Sequence, residues 1–316
     1  MKILIAGAGS IGSVLGVLLS FEHEVTLMRR KDAGEMEVKV TGAVETYARL
    51  PVVASCPFPQ SLVIVSCQSQ HTQSILPQLD MAVDSGTIIL SLQNGVDNLD
   101  LLKQKFPKNR VYAGLVWWSA TLIRPDLVYY HRSAPTVIDS ASGLCEVLHR
   151  FNCEESDEIR NEMYRKLVLN VVSPALALRK LPYPQGLHEK AVRDLTRLMF
   201  EEACVILSSK GINLESHRLR KFHRILQGDI PDATVGKYTH KVSTQIGLEK
   251  YGGSDSNVRT LLGKLLEMDD DGVGIVLHQV HDLVLSLDRS YNPVDPDTLQ
   301  SIANSGLSHD ISVILG

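Results

Sequence analysis

Short apolar runs alternate with helix-length stretches through the first half of the chain. Residues 2–6 (KILIA), 23–28 (HEVTLM), 62–67 (LVIVSC), 87–91 (TIILS) and 111–116 (VYAGLV) are largely apolar, the pattern of strands buried on both faces of a parallel sheet. Strand and helix in alternation predict a doubly wound α/β sheet. Between Leu122 and Asp139 the texture changes to two short runs, LVYYH and TVID, flanking Arg132-Ser133-Ala134-Pro135. This reads as an antiparallel edge rather than another βαβ unit. After Asn152 the period shifts again. Ser156 or Asp157 is placed to cap a helix, apolar residues recur at helical spacing through Leu178, and further helices are predicted over 188–209, 214–226, 258–268, 274–287 and 296–304. The expected organisation is an α/β domain over 1–155 followed by an all-helical domain over 156–316.

Composition narrows the partners. The 316 residues amount to roughly two domains; 44% are apolar and 22% charged, and 32 Lys plus Arg against 36 Asp plus Glu give a net charge of −4. No protein-wide basic surface exists for nucleic acid, so small molecules become the expected ligands. Five cysteines, Cys56, Cys67, Cys145, Cys153 and Cys204, are odd in number and scattered without a C-x-x-C pair, which argues against a disulfide framework or a zinc site and for a reducing, cytoplasmic setting. The uncharged stretch from Ile3 to Ser20 carries Gly7, Gly9, Gly12 and Gly16, which spoil the apolar helix a secretory signal needs; it reads as mature protein. No run approaches the ~20 apolar residues of a membrane span.

The first candidate chemistry is Gly7-Ala8-Gly9-Ser10-Ile11-Gly12, a G-x-G-x-x-G directly after the first strand and before a helix. In that setting the first glycine permits the tight turn, the second lets backbone approach a pyrophosphate, and the third lets helix pack on strand, with the phosphate at the helix N-terminus. Gly7, Gly9, Ser10, Ile11 and Gly12 are therefore expected to cradle a dinucleotide in a Rossmann-type domain. The second strand ends Leu27-Met28-Arg29-Arg30-Lys31, with no acid for the ribose hydroxyls of NAD. Adjacent cations suit a 2′-phosphate, which points to NADP(H) with Arg30 as its contact; the plainer alternative is a solvated basic loop.

The second is a polar stripe. In Tyr164-Arg165-Lys166-Leu167-Val168-Leu169-Asn170-Val171-Val172-Ser173-Pro174 the predicted helix is apolar nearly all round and hence buried, while Lys166, Asn170 and Ser173 fall at i, i+4 and i+7 on one face. A lysine in partial burial has its charged form disfavoured, which suits it to donate a proton to a carbonyl oxygen. The alternative is that Lys166 snorkels to solvent and Asn170 bonds nearby backbone. Pro174 is expected to kink or end the helix.

Taken together, MKILIAGAGSIGSVLG with HEVTLMRR, Leu92-Gln93-Asn94-Gly95-Val96, Tyr164 to Asn170 and, more faintly, Asn292-Pro293-Val294-Asp295 resemble the ketopantoate reductases, two-domain NADPH-dependent 2-keto-acid reductases. The resemblance implies that Lys166 is the general acid, that Asn94 sits beside the nicotinamide and the reacting carbonyl, and that Asn170 holds a small keto-acid substrate, with no metal and with a homodimer as one assembly. Asn94-Gly95 also reads as simple turn chemistry. The chain departs from the family at three places. Gln68 stands where a lysine usually contacts cofactor phosphate. Ser173 stands near where a second asparagine is usual. The family's substrate-binding serine and glutamate segment is not recognisable: one register places Asn257 at the glutamate, another the Asp269-Asp270-Asp271 cluster. An opine-type or 3-hydroxyacid dehydrogenase, or a dinucleotide sensor without catalysis, are the alternatives.

Other features carry plainer readings. His278 and His281, three apart on a predicted helix, have a spacing compatible with metal binding but no accompanying Glu-His or Cys partner pattern. Residues 216–224 (SHRLRKFHR) predict a solvated amphipathic helix. Trp117 and Trp118 suit either a site mouth or a packed interior.

Overall fold

The computed structural model describes residues 1–30, 33–131, 134–181, 185–228, 256–287 and 292–316, of which 185 and 256–260 by backbone alone. Lys31, the Arg132-Ser133 turn and the side chain of Asn257 lie outside the described residues. The chain divides into two compact units, Met1–Met163 and Tyr164–Gly316.

In the first unit the apolar runs become strands β1 (Lys2–Ala6), β2 (Glu24–Met28), β5 (Leu62–Val65), β6 (Ile88–Ser91) and β7 (Arg110–Val116). With β4 (Thr46–Val53) they form a parallel core in the order β7-β6-β5-β1-β2-β4. All residues of β5 and β6 are buried, because helices and loops cover both faces of a parallel sheet. β1 has β2 on one side and β5 on the other, so strand order reverses at the C-terminal end of β1, the place where such sheets bind ligands.

Five more strands, β3 (Gly34–Gly42), β8 (Ala120–Arg124), β9 (Leu127–Tyr130), β10 (Thr136–Asp139) and β11 (Cys153–Ser156), extend this core to an 11-stranded sheet, β11-β10-β7-β6-β5-β1-β2-β4-β3-β9-β8. β3 (Gly34–Gly42) and β4 form an antiparallel pair with Val38 opposite Ala48. Sequence analysis passed over this pair, although Glu35-Met36-Glu37-Val38-Lys39-Val40 alternates with period two, and Val38 and Val40 are fully buried. The runs on either side of residues 132–133 do not form a hairpin. β9 (Leu127–Tyr130) pairs with β8 (Ala120–Arg124) and β3, whereas β10 (Thr136–Asp139) pairs antiparallel with β7 and parallel with β11 (Cys153–Ser156). Trp118 links the two wings. Its indole N–H donates to Thr136 Oγ1 at 2.8 Å, and its ring packs on Tyr130 and Phe151, so this tryptophan belongs to the interior.

The expectation of unpaired cysteines fails at one place. Cys145 and Cys153 form a disulfide, with Cα atoms 5.2 Å apart; the fold returns β11 to the segment that follows β10. Cys56, Cys67 and Cys204 are free.

Helices α1 (Ser10–Leu19), α2 (Thr72–Ile75) and α3 (Asn98–Lys105) complete this unit. The second is helical: α4 (Ile159–Leu169, within which the division between units falls), α5 (Val172–Arg179), α6 (Lys190–Ser209), α7 (His217–Leu226), α8 (Ser256–Leu266), α9 (Ile275–Ser286), α10 (Pro296–Ser305) and α11 (Ser312–Leu315). The 20-residue α6 is its axis, with Leu195, Met199, Phe200 and Leu207 wholly or almost wholly buried among α5, α7, α9 and α10. Truncating a core aromatic such as Phe200 to alanine removes about 3–5 kcal/mol. α7 buries Leu219, Phe222, Ile225 and Leu226 and leaves most of its basic residues toward solvent, as an amphipathic helix should.

The helix that begins after Ser156 is not continuous through Leu178. Ser156 Oγ accepts from Glu158 N–H at 3.1 Å ahead of α4; α4 stops at Leu169 and α5 starts at Val172. The break precedes Pro174, which sits in the first turn of α5, where a missing N–H costs no helical hydrogen bond. No helix among the described residues is long and apolar enough to cross a membrane.

Candidate functional site

The glycine turn leaves β1 with Gly7 and Ala8 N–H donating to Met28 O at the end of β2, at 3.2 and 3.3 Å. Each glycine has its own reason. Gly7 has φ +117°, and a Cβ there would stand 2.5 Å from the Cys67 nitrogen; a Cβ on Gly12 would stand 2.0 Å from the Gly7 oxygen. A Cβ on Gly9 would meet nothing within 4 Å. The first and third glycines therefore close the turn, and the second faces open space at the start of α1. That helix opens with no capping side chain and no acid in its first turn, so the N–H groups of Ser10, Ile11 and Gly12 have no helical acceptor and the positive end of the helix dipole carries no counter-charge. The arrangement fits the pyrophosphate of a dinucleotide.

The cations at the end of β2 separate. Arg29 is half-buried and donates to Met36 Sδ at 3.2 Å. Arg30 is exposed, two residues beyond the Met28 carbonyl that anchors the turn. Its charge reaches the residues that follow β5. Burial and the Arg30 charge together hold the His71 imidazolium below its usual range. Burial pushes the Cys67 thiol up to about 11, so it is no thiolate nucleophile at neutral pH. Gln68 is half-buried, and its side-chain oxygen accepts from Gln70 at 2.8 Å.

The loop after β6 is pinned by a network that sequence reasoning missed. Gln93, 4% exposed, donates to Cys67 O at 3.0 Å and to Thr72 Oγ1 at 2.7 Å. Thr72 in turn donates to Asn98 Oδ1 at 2.8 Å. Asn98 donates to Ser69 Oγ and to Asn94 O, at 3.0 and 2.9 Å; the Ser69 hydroxyl also donates to Asn94 O. Asn94 itself is exposed, followed by Gly95 at φ +92°. Its backbone is held by the exits of β5 and β6 together while its side chain stays accessible. The only signal in the sequence is Gln93 in Leu92-Gln93-Asn94-Gly95-Val96, since partners 21 and 26 residues away are invisible to spacing.

In the helical unit, Lys166 is half-buried on α4, and burial lowers its ammonium to about 8. Asn170 stands one turn on, its N–H donating to Lys166 O at 3.1 Å, and is half-buried. Ser173 falls beyond the break, in the first turn of α5, and is exposed. The three-residue stripe expected of one continuous helix therefore reduces to Lys166 and Asn170. Asp269 is buried, its side chain 1% exposed, and accepts from Val273 N–H and Gly274 N–H at 2.8 Å each; Asp270 pairs with Lys210. Asp269 thus serves the entry to α9. The Asn292 to Asp295 segment also has structural partners: Val294 exchanges hydrogen bonds with Leu178 O and Arg179, and Asp295 caps α10 through Thr298 N–H at 2.8 Å.

Two family models match the chain, ketopantoate reductase PanE/ApbA over residues 3–143 and ketopantoate reductase PanE/ApbA C terminal over residues 158–271. The 2-dehydropantoate 2-reductase of Bacillus subtilis (strain 168) is 25% identical over 313 residues, covering 93% of this chain and 100% of its own. Among solved structures, the PanE/ApbA family ketopantoate reductase from Ralstonia eutropha JMP134 has a TM-score of 0.76 at 23% identity, covering 95% of this chain and all of that one. D-mandelate dehydrogenase, solved with NADH and anilino(oxo)acetate, has a TM-score of 0.75 at 19% identity, covering 95% of this chain and 99% of its own. The first family match takes in the glycine turn and the Asn94 loop, and the second takes in Lys166 and Asn170; the chain belongs to the ketopantoate reductase PanE/ApbA family of oxidoreductases.

Proposed function

We propose that the protein is an NADPH-dependent reductase of a small 2-keto acid, with Lys166 as general acid. The observation that carries this reading is the lysine: an ammonium brought to about 8 by burial, one helical turn from a half-buried asparagine. Such a group is protonated at neutral pH and gives up its proton readily.

The cofactor, when bound, supplies a hydride to the keto carbon. The chain's own residues do the rest. Backbone N–H groups at the start of α1 hold the pyrophosphate, helped by the open space over Gly9, and Arg30 meets the 2′-phosphate, with Gln68 nearby in place of a cation. Asn94 flanks the nicotinamide and the carbonyl, supported by a loop that Gln93 and Asn98 fix. Lys166 stabilises the developing alkoxide and then protonates it, so that ketone, hydride and proton balance to a hydroxyl group. Asn170 and Ser173 hold the substrate's polar groups.

The test follows NADPH oxidation with ketopantoate, pyruvate, 2-ketoisovalerate and benzoylformate. Turnover of at least one acid is expected, and Lys166→Ala should lower kcat by about 10²-fold or more with NADPH affinity retained. NADPH binding without oxidation by any acid, or turnover indifferent to Lys166→Ala, overturns the reading.

A further inference from the structure

The helical unit contains a cavity of about 690 Å³ that none of the candidate-site residues above lines. One wall is a stripe of α6, on which Lys190, Arg193, Arg197 and Glu201 recur at i, i+3, i+7 and i+11, one face of the helix. His223 and Gln227, four residues apart at the end of α7, form the second wall, and Ser308 to Asp310 the third.

Its carboxylates are already engaged. Glu201, 2% exposed, accepts from Arg197 Nη1 at 2.9 Å and lies 3.2 Å from His223 Nε2 through Oε1, and accepts from Ser308 Oγ and His309 N–H at 3.0 and 3.1 Å through Oε2. Burial alone would raise its pKa, but the hydrogen bonds from His223 and Arg197 outweigh it and hold the carboxyl below its usual range. Asp194 pairs with Lys190, and Asp310 accepts from Ser312 N–H at 3.0 Å.

The donors are not used up. A guanidinium carries five N–H groups in a planar fork. Arg193 gives one nitrogen to Leu187 O at 3.1 Å and meets no carboxylate among the described residues. Arg197 uses only Nη1. Arg193 and Arg197 lie on the cavity stripe, four residues apart, and Gln227 and His309 line the other walls. A cavity of metabolite size, rich in donors and with two of its three carboxylates paired to cations, complements an oxyanion.

We propose that this cavity binds a small multivalent oxyanion, a phosphomonoester or a di- or tricarboxylate, through Arg193 and Arg197, separately from the Lys166 chemistry. The site is pre-built: the Glu201 hydrogen bonds fix Arg197 and tie all three walls together before any ligand enters.

Calorimetric titration of the full-length protein with inorganic phosphate, and in parallel with citrate, at ionic strength held constant with sodium chloride, tests this. Saturable binding of at least one anion is expected. Phosphate alone identifies a phosphomonoester site, citrate alone a polycarboxylate site, and both an oxyanion site of either source. Arg193→Gln should weaken that binding about tenfold or more, the scale of a lost charge-assisted contact. Gln227→Glu, an exposed change that adds a negative charge to the wall, should do the same. Arg49→Gln, an exposed change in the other unit, should leave it unaltered. Absence of saturable binding by either anion, or binding of wild-type strength in both Arg193→Gln and Gln227→Glu, overturns the proposal.

Discussion

Gly7 is packed so tightly against Cys67 that a single added carbon would stand 2.5 Å from the Cys67 backbone nitrogen. Gly7→Ala therefore meets backbone that cannot swing aside, at a φ of +117° that alanine adopts only with strain of about 1–3 kcal/mol. Gly9→Ala places its methyl in open space. Thermal unfolding should show a clear loss of stability for the first and a change within about 0.5 kcal/mol for the second. NADPH titration by fluorescence should show weakened binding for Gly9→Ala, since that methyl enters the space over the helix N-terminus. Equal stability losses would mean that the two glycines do not divide their roles.

The Arg30 guanidinium is exposed yet within electrostatic reach of Cys67 and His71. Arg30→Ala should weaken NADPH by about tenfold or more, the scale of one charge-assisted phosphate contact, and NADH far less. Dissociation constants for both nucleotides decide it, and parallel losses would remove the 2′-phosphate assignment.

The Lys166 value of about 8 fixes the sign of a pH profile. In the proposed mechanism the ammonium donates the proton, so keto-acid reduction should be level below pH 8 and fall by up to tenfold per pH unit above it. Hydroxy-acid oxidation, which needs the free amine, should rise toward a plateau over the same interval. Lys166→Arg keeps its charge throughout and should lose the inflexion near 8 along with most of kcat. Initial rates from pH 6 to 10 provide the measurement.

Glu202 is fully buried on α6, and its carboxylate accepts from Val276 N–H and Leu277 N–H at 2.8 and 2.9 Å at the start of α9. Burial pushes it up to about 7 despite both hydrogen bonds. Here the folded state holds the proton more tightly than the unfolded chain, so this group's contribution is greatest below about pH 4.5 and is lost as pH rises toward 7. A shift from 4.5 to about 7 corresponds to about 3 kcal/mol at most. Glu202→Gln should be less stable at low pH, because one of the two N–H groups loses its acceptor, and should show a flatter dependence between pH 4.5 and 7 in denaturant titrations.

The parts of the fold readable from sequence were those with a local period. Continuous apolar runs located β1, β5 and β6 because both of their faces are covered, and Leu219 with Phe222 located the buried side of α7. The glycine turn was readable for the same reason, since its requirement lies within six consecutive residues. Features built by distant partners were not. The Gln93, Thr72 and Asn98 network spans residues 67–98, and the Cys145–Cys153 bond depends on where β11 docks. The α4–α5 break has no local signal, because the stretch keeps an apolar, helix-compatible sequence across it and Pro174 fits the first turn of α5. The β3–β4 pair carries a local signal in its period-two alternation but stands outside the βαβ pattern.

The contact of Gly12 with the Gly7 carbonyl has a last consequence. Because the loop is locked shut by its own backbone, an arriving nucleotide would encounter amide hydrogens already aimed, and little mobility would remain to be surrendered on association. Tight capture would then owe more to rigidity set at folding than to any closure of the polypeptide around its guest.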